Sequence, residues 1–497
     1  MPAGSTLRCM ALRFPQVALT ALVALAPLAL ACSSDGTDAG GAGSAGQTSS
    51  VAGAPGAAGT PSTSAGAPGV AGMPGTAGAS SFPGTAGAPS GGGSATGAAG
   101  ATPGAGGGPT GAGGSAPVGS SVEDDGVDCD VGTIPSPAAN TKLPDPFKNA
   151  AGTRITKKSD WRCQRRYLRK VMEKYVYGEK PPKPATVTGT VSKTSITVNV
   201  SDNGKTAMFT ASVSAPTTGA APYPAIISYG ASSLDKNLIL GLGVAIIQFD
   251  PYQAGKEGTG RANKAGAFYT IHGTTHAKSG LLVAWAWGVS RILDVLEADG
   301  DKVFESSAIG VTGCSRFGKG SFVAGAFDQR IALGIPFESG TAGVPIFRGI
   351  GKLESAQTLS SAYGEQPWFG DDFSPFQSAP TTLPLDTHAT IGMYAPRGLI
   401  ILDNPHIANL GPKSASVAAL AGAEIYKALG AQDNLSYISD IQNGDHCSWR
   451  TEFNAPLTAA IQKHLLKSGT TAGKIAISSK ASSPLADWKD WETPTLQ

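Results

Sequence analysis

An α/β fold, with a mainly parallel central sheet, helices on both faces and an antiparallel N-terminal edge, is what this sequence predicts. Three observations carry that expectation. From about Ala185 onward, short β-rich runs alternate with helical segments, the order that builds parallel sheets. Two of the runs, Tyr223–Tyr229 and residues 244–250, are almost continuously apolar, as strands covered on both faces are. The runs before them, residues 186–200 and 207–214, alternate apolar and polar residues, the habit of half-buried antiparallel strands.

In chain order, residues 1–32 read as an export signal. Arg8 and Arg13 form a basic start, and residues 17–31 are an apolar run ending in small residues, too short for a membrane span. Leu28-Ala29-Leu30-Ala31 ahead of Cys32 resembles a bacterial lipoprotein box, which makes Cys32 a lipidation site and the protein an outer-membrane lipoprotein or a secreted, outward-facing one. The rival reading is ordinary cleavage near Ala31 with an incidental cysteine. Residues 33–121 are a Gly-, Ala-, Pro- and Ser-rich linker, where the excess of the chain's 67 glycines and 35 prolines is concentrated. Lacking the apolar bulk to offset its ordering entropy, it is expected to be disordered. A flexible tether of that length spans roughly 50 Å r.m.s.. Residues 122–497 remain for one large α/β domain.

Within that domain, residues 279–297 read as a helix with Leu281, Leu282, Trp285, Val289, Ile292, Leu293 and Leu296 on one stripe. Residues 309–312 read as a strand and residues 319–327 as a helix of small residues. Strands follow at 331–337, Gly398–Leu402 and Leu435–Ile438, and helices at 414–429 and 456–466. A net charge of +2 gives no basic field, which argues against nucleic acid as a partner. Of six cysteines, Cys9 and Cys32 fall in the leader. Cys129, Cys163, Cys314 and Cys447 remain, an even number in an exported domain, which suggests two disulfides. No C-x-x-C or C-x-x-H spacing supports the rival reading of a metal site, and none is expected.

The sharpest chemical signal is Gly310-Val-Thr-Gly313-Cys314-Ser315-Arg316-Phe317-Gly318-Lys319-Gly320. A strand runs into a glycine-flanked turn and then a helix, with Ser315 at the apex. That is a nucleophile-elbow layout, although the second glycine stands three residues after the serine instead of two. The helix N-terminus behind Ser315 offers N–H groups to an oxyanion. Gly313-x4-Gly318-Lys319 also approaches a phosphate-binding loop, but that loop needs Ser or Thr where position 320 is Gly.

A serine nucleophile needs a histidine as base and an acid to orient it. In α/β-hydrolases the histidine comes last in the chain. His446, in Asn443-Gly444-Asp445-His446 after the strand Leu435–Ile438, fits that order. His464 lies inside the last helix, and His272 and His276 precede the serine and read as structural. Two carboxylates compete as the acid: Glu338 after the strand 331–337, and Asp403 after Gly398–Leu402. Both stand at C-terminal strand ends, where such sheets keep their catalytic groups.

Gly313-Cys-Ser-Arg-Phe-Gly-Lys-Gly320 followed by Pro336-Phe-Glu-Ser-Gly340 resembles the glucuronoyl esterases, carbohydrate esterase family 15. The likeness extends from Cys129 to about Leu466 and includes Leu143-Pro-Asp-Pro-Phe147, Asp160-Trp-Arg-Cys163, Tyr175-Val-Tyr-Gly178, Ala284-Trp-Ala-Trp-Gly288 and Ala395-Pro-Arg397. The resemblance implies a three-layer α/β-hydrolase sandwich that cleaves esters between glucuronoxylan uronic acids and lignin alcohols, with no cofactor and as a monomer. By motif, it makes Ser315 the nucleophile, His446 the base, Glu338 the usual acid and Asp403 a second or alternative acid. Arg316 joins the oxyanion hole. Lys319, Gln357 and Glu365 match residues that bind uronate hydroxyls, and Trp368 offers a stacking surface or belongs to the core. Where the family has a sugar-contacting tryptophan, Asn409 stands here, which bears on recognition of a 4-O-methyl group.

If Ser315 and His446 are hydrogen-bonded, their neighbours Cys314 and Cys447 come within the roughly 5.5–6 Å Cα separation a disulfide prefers. Cys129 and Cys163 then pair with each other, as similar spacing in the family suggests. The alternatives are an esterase for other polysaccharide or simple alkyl esters, and a non-catalytic surface glycan-binding protein. Under any of them the membrane enters only through a lipid anchor at Cys32.

Overall fold

The computed structural model describes residues 122–497, Ser232 and Thr471 excepted. The leader, Cys32 and the linker lie outside the described residues. Ten strands form one sheet among them: β1 (Thr186–Val191), β2 (Ser195–Asp202), β3 (Lys205–Ser214), β4 (Tyr223–Tyr229), β5 (Ala245–Phe249), β6 (Phe304–Cys314), β7 (Leu333–Phe337), β8 (Gly398–Leu402), β9 (Leu435–Ile438) and β10 (Ile475–Ala476). Their spatial order is β1-β2-β3-β5-β4-β6-β7-β8-β9-β10. The pairings β1/β2, β2/β3 and β3/β5 are antiparallel, and every later pairing is parallel. The α-helices are α1 (Trp161–Met172), α2 (Lys236–Gly241), α3 (Ala267–His272), α4 (Leu281–Asp299), α5 (Arg316–Phe327), α6 (Leu359–Glu365), α7 (Thr387–Tyr394), α8 (Pro412–Ala428) and α9 (Asn454–His464).

The apolar strand runs divide their side chains between two cores with the period of two that a pleat imposes. Ala225, Ile227, Tyr229, Ile247, Val311 and Ile401 face the larger core, built with α4, α5, α7 and α8. Ile226, Ile246, Leu333, Ile335, Phe337 and Ile400 face the smaller one, closed by Ile239 of α2 and Leu457 and Ile461 of α9. Helix, sheet and helix therefore stack as three layers, as expected.

Two local expectations change. Residues 186–200 are a hairpin, not one strand: Ser192-Lys193-Thr194 turns the chain, with Ser192 Oγ donating to the Ser195 carbonyl at 2.9 Å. The turn carries neither Gly nor Pro, so alternation runs through it without a break. Helix α1 was concealed by its arginines. Trp161, Leu168, Val171 and Met172 are buried on one side, while Arg165 and Arg169 are buried too, because carboxylates meet them.

One of those carboxylates, Glu173, directly follows α1; the others belong to the segment entering the domain. Glu123 bonds Lys180 and Arg291, Asp124 bonds Arg166, and Asp125 bonds Arg162 at 2.7 Å and Arg165 at 2.9 Å. A Cys129–Cys163 disulfide, Cα to Cα 5.5 Å, fastens the segment to α1.

Candidate active site

β6 ends at Cys314, and α5 begins at Arg316. Between them Ser315 has φ 58° and ψ −124°, a strained conformation for a residue with a side chain. The Ser315 N–H donates to the Phe337 carbonyl at 3.0 Å, which ties the elbow to the end of β7. Both flanking glycines are required by close approach. A Cβ on Gly313 would stand 2.5 Å from the Phe317 carbonyl oxygen, and one on Gly318 2.4 Å from that of Phe337. The second contact explains why the glycine comes three residues after the serine. Position 317 instead holds a phenylalanine packed among Tyr229, Tyr252 and Trp285.

Glu338 directly follows β7 and is fully buried, with φ 45°. It accepts from His446 Nδ1 at 2.6 Å, the Cys447 N–H at 2.8 Å, Arg450 Nη1 at 3.0 Å and Asn404 Nδ2 at 3.2 Å. With Nδ1 turned to Glu338, Nε2 is the ring nitrogen of His446 left for a substrate or nucleophile. The His446 side chain is 41% exposed. Cys447, with φ 60°, is joined to Cys314 by a disulfide of Cα separation 5.8 Å. The loops bearing Ser315 and His446 are thus stapled one residue from each. No hydrogen bond joins Ser315 Oγ to His446 among the described residues; such contacts tighten when substrate arrives.

Asp403 stands at the end of the next strand but turns elsewhere. Its Oδ2 accepts from Tyr437 Oη at 2.8 Å and its Oδ1 from the Asn404 N–H at 2.9 Å. Burial pushes its carboxyl up to about 7, and Glu338 adds to the rise. Among the described residues its hydrogen bonds reach His446 only through Asn404 and Glu338.

Arg316 points toward the opening, 41% exposed, and Glu257 holds it: Nη1 donates to Glu257 Oε2 at 2.7 Å. The same buried carboxylate accepts from Tyr252 Oη at 2.8 Å and from Trp368 Nε1 at 2.6 Å. Trp368 is 2% exposed and lies beneath the cationic ends of Arg316 and Lys319, so it supports those cations and offers no open stacking face. Lys319 donates to the Ser339 carbonyl at 2.5 Å. Burial pushes its ammonium down to about 7; Glu365 opposes the shift and Arg316 adds to it.

Gln357 Nε2 donates to Glu365 Oε2 at 2.7 Å, and Glu365 Oε1 lies 3.4 Å from Arg316 Nη2. The Gln357 N–H bonds the Asn409 carbonyl at 3.0 Å, so the proposed sugar residues share one rim. His272 is elsewhere, packed on Phe268 and Trp287 and pushed down to about 4 by burial. Ligand atoms of Cys314, Glu338, His446 and Cys447 lie within 4.8 Å of one another, but both sulfurs are in the disulfide and no thiolate is left for a metal. Sequence reasoning missed Glu257, Asn404 and Arg450. Glu257 lies in a loop without a motif, and only the proximity of Arg450 to His446 in sequence could have drawn notice.

A parallel sheet whose strand-to-helix elbow presents a serine beside a histidine–carboxylate pair defines an α/β-hydrolase. A family model described as glucuronyl esterase, fungi, matches residues 198–430. A 4-O-methyl-glucuronoyl methylesterase of Hypocrea jecorina is 38% identical over 362 residues, covering 72% of this chain and 77% of its own. The chain thus belongs to the glucuronoyl esterases, carbohydrate esterase family 15. Among solved structures, a mutant glucuronoyl esterase from Sporotrichum thermophile, in complex with methyl 4-O-methyl-β-D-glucopyranuronate, is 36% identical with TM-score 0.68, over 73% of this chain and 99% of that one. A family 15 enzyme from Caldicellulosiruptor kristjansonii is 29% identical with TM-score 0.63, over 73% and 98%.

Proposed function

We propose that this protein is a serine esterase hydrolysing esters of 4-O-methyl-glucuronic acid or glucuronic acid. The observation that carries the reading is the edge where Ser315, at the elbow, is stapled beside the His446–Glu338 pair. The names of its relatives and the methyl glucuronate ester bound to one of them support the substrate class.

Ser315 Oγ attacks the uronate carbonyl while His446 Nε2 takes its proton. The tetrahedral oxyanion meets N–H groups at the start of α5 and the Arg316 guanidinium, each such donor contributing about 10²–10³ in rate. The bond to the alcohol breaks as the imidazolium returns the proton to the leaving oxygen. Water, deprotonated by His446, then attacks the acyl-enzyme; the bond to Ser315 Oγ breaks as the imidazolium returns the proton to that oxygen, and the uronic acid is freed. Glu338 steadies each imidazolium, and Lys319, Gln357 and Glu365 hold the sugar hydroxyls.

The natural ester is a lignin–glucuronoxylan linkage. The enzyme is exported, a fit for two disulfides in the folded domain, and acts as a monomer on residues 122–497. Residues 1–32 direct export, Cys32 carries a lipid anchor and residues 33–121 are the tether. Ser315→Ala is expected to lower kcat on methyl glucuronate by at least ~10⁴ with an unchanged circular dichroism spectrum. Activity within tenfold of wild type would sink the assignment.

A further inference from the structure

We propose that Glu257 is a positioning residue for the esterase reaction: it fixes the Arg316 guanidinium where the oxyanion forms and acts through that arginine alone. The proposal rests on the esterase reading and adds to it a residue outside the Ser315, His446 and Glu338 set. Arg316 needs a holder. It opens α5 with its side chain 41% exposed, and a long side chain half in water moves among many rotamers. A donor aimed beforehand at developing charge contributes far more than one that must first be ordered.

Two carboxylates meet the guanidinium, and they differ in kind. Glu365 Oε1 lies 3.4 Å from Nη2, and the Glu365 side chain is 39% exposed. Its other oxygen holds Gln357, and in the esterase reading a sugar hydroxyl competes for it. Glu257 Oε2 takes Nη1 at 2.7 Å, and its side chain is only 7% exposed. When the sugar draws on Glu365, Glu257 is the hold that remains.

The Glu257 carboxylate is itself held at both oxygens. Oε2 also accepts from Tyr252 Oη at 2.8 Å, and Oε1 from Trp368 Nε1 at 2.6 Å. The indole oriented in this way has its ring centroid 5.7 Å from the guanidinium carbon of Arg316. Tyr252 packs on Phe317, the second residue of α5. The backbone on both sides is tied down as well. Trp285 Nε1 donates to the Gly255 carbonyl at 2.7 Å, the Lys256 N–H to the Ala265 carbonyl at 2.8 Å and the Gly258 N–H to Gln366 Oε1 at 2.8 Å.

Tyr252 and Trp368 would be served as well by a neutral acceptor. Arg316 is the partner that gains from a negative charge, and it is the sole ion-pair partner of Glu257 among the described residues. A carboxylate nearly shut off from water, fixed by its neighbours and set behind a half-exposed arginine next to the elbow serine, is a support for an aimed donor.

The test is a double-mutant cycle on methyl glucuronate. Arg316→Ala should lower kcat by about 10²–10³, the cost of an oxyanion donor. Glu257→Gln, which keeps the size of the side chain and removes its charge, should lower kcat about tenfold or more with KM changed less than about threefold. The double variant should be no slower than Arg316→Ala alone, because nothing is left to position. Losses that multiply in the double variant, as a merely structural glutamate would give, overturn the proposal. So does an unchanged kcat in Glu257→Gln, or a loss confined to KM. If Glu257→Gln fails to fold, Glu257→Asp, which draws the carboxylate back by one methylene, takes its place in the cycle. The cycle is repeated with a fluorophosphonate, read by mass spectrometry as the rate of Ser315 labelling. There Ser315 Oγ bonds phosphorus, its proton passes to His446, fluoride leaves and the phosphoryl oxygen takes the place of the oxyanion. Enzyme that is labelled but leaves methyl glucuronate intact would defeat the glucuronate reading, while the labelling cycle still judges Glu257. Enzyme inert to both would overturn the two together.

Discussion

The segment at 122–129 and the loop at 445–450 are fastened by the same means, a glutamate with cationic partners and a disulfide, yet they serve opposite ends. Glu123 bonds Lys180 and Arg291, with Arg330 at 3.8 Å. Burial alone would raise its carboxyl, but the three cations hold it well below the usual carboxylate range. Its partners are the cations Lys180, Arg291 and Arg330, none of them among the proposed active-site residues. Glu338 has one fixed cation, Arg450, two neutral donors, and as fourth partner the half-exposed imidazole of His446. It gains a second cation only when His446 is protonated, which is the state the proposed mechanism must stabilise. A carboxylate saturated with fixed charge makes a clasp; one left short of positive charge suits the orienting acid proposed here.

The largest effect should come from removing Glu338, the proposed orienting acid. Glu338→Ala is expected to lower kcat on methyl glucuronate by about 10³–10⁴, close to what loss of a triad acid costs elsewhere. Asp403→Ala should cost less, since Asp403 meets Tyr437 and among the described residues its hydrogen bonds reach His446 only through Asn404 and Glu338, and the double variant should be worse than either. Steady-state kinetics on the three proteins ranks them. A greater loss from Asp403→Ala alone would move the acid to β8.

Removing the disulfides should separate the two regions. Loss of either should destabilise the fold by about 2–5 kcal/mol, read by urea unfolding. Only Cys314→Ala/Cys447→Ala should also reduce kcat per folded molecule, by tenfold or more, because that bond sets the distance between elbow and base. If Cys129→Ala/Cys163→Ala reduced kcat as much, the staple would have no special catalytic part.

The smallest effect should come from the clasp. Glu123→Gln is expected to leave kcat unchanged and to cost about 3 kcal/mol of stability at neutral pH, since it leaves buried cations without their counterion. A carboxyl lowered by folding contributes stability that is present above its unfolded pKa, about 4.3, and is lost as pH falls toward the folded value. The gap between wild type and variant should therefore narrow below about pH 4. Unfolding curves at pH 7 and pH 3 with an unchanged gap would count against a charge-based clasp.

Much of this was legible in the chain before folding. The strands Tyr223–Tyr229, Gly398–Leu402 and Leu435–Ile438 announce themselves because a strand covered on both faces has little room for polar residues. The hairpin turn at Ser192-Lys193-Thr194 and the arginine-rich α1 did not. The turn has no special residue to mark it, and Arg165 and Arg169 of α1 are buried where a distant acidic segment, together with Glu173, meets them.

What the sequence determined by itself is what depends on neighbours along the chain: the parallel sheet, the elbow with Gly313, Ser315 and Gly318 within six positions, and the chain order that points to His446 as the proposed base. What only the tertiary structure decided is which of two equally placed carboxylates faces that base. Glu338 and His446 are 108 residues apart, and Arg316 and Glu257 are 59 apart. Glu338 and Asp403 both follow a parallel strand, with nothing local to rank them. Glu338 leaves β7 with φ 45° toward the Cys447 N–H and Arg450, whereas Tyr437 draws Asp403 away. Hydrogen bonds between such distant residues exist only after the sheet has brought the strand ends together.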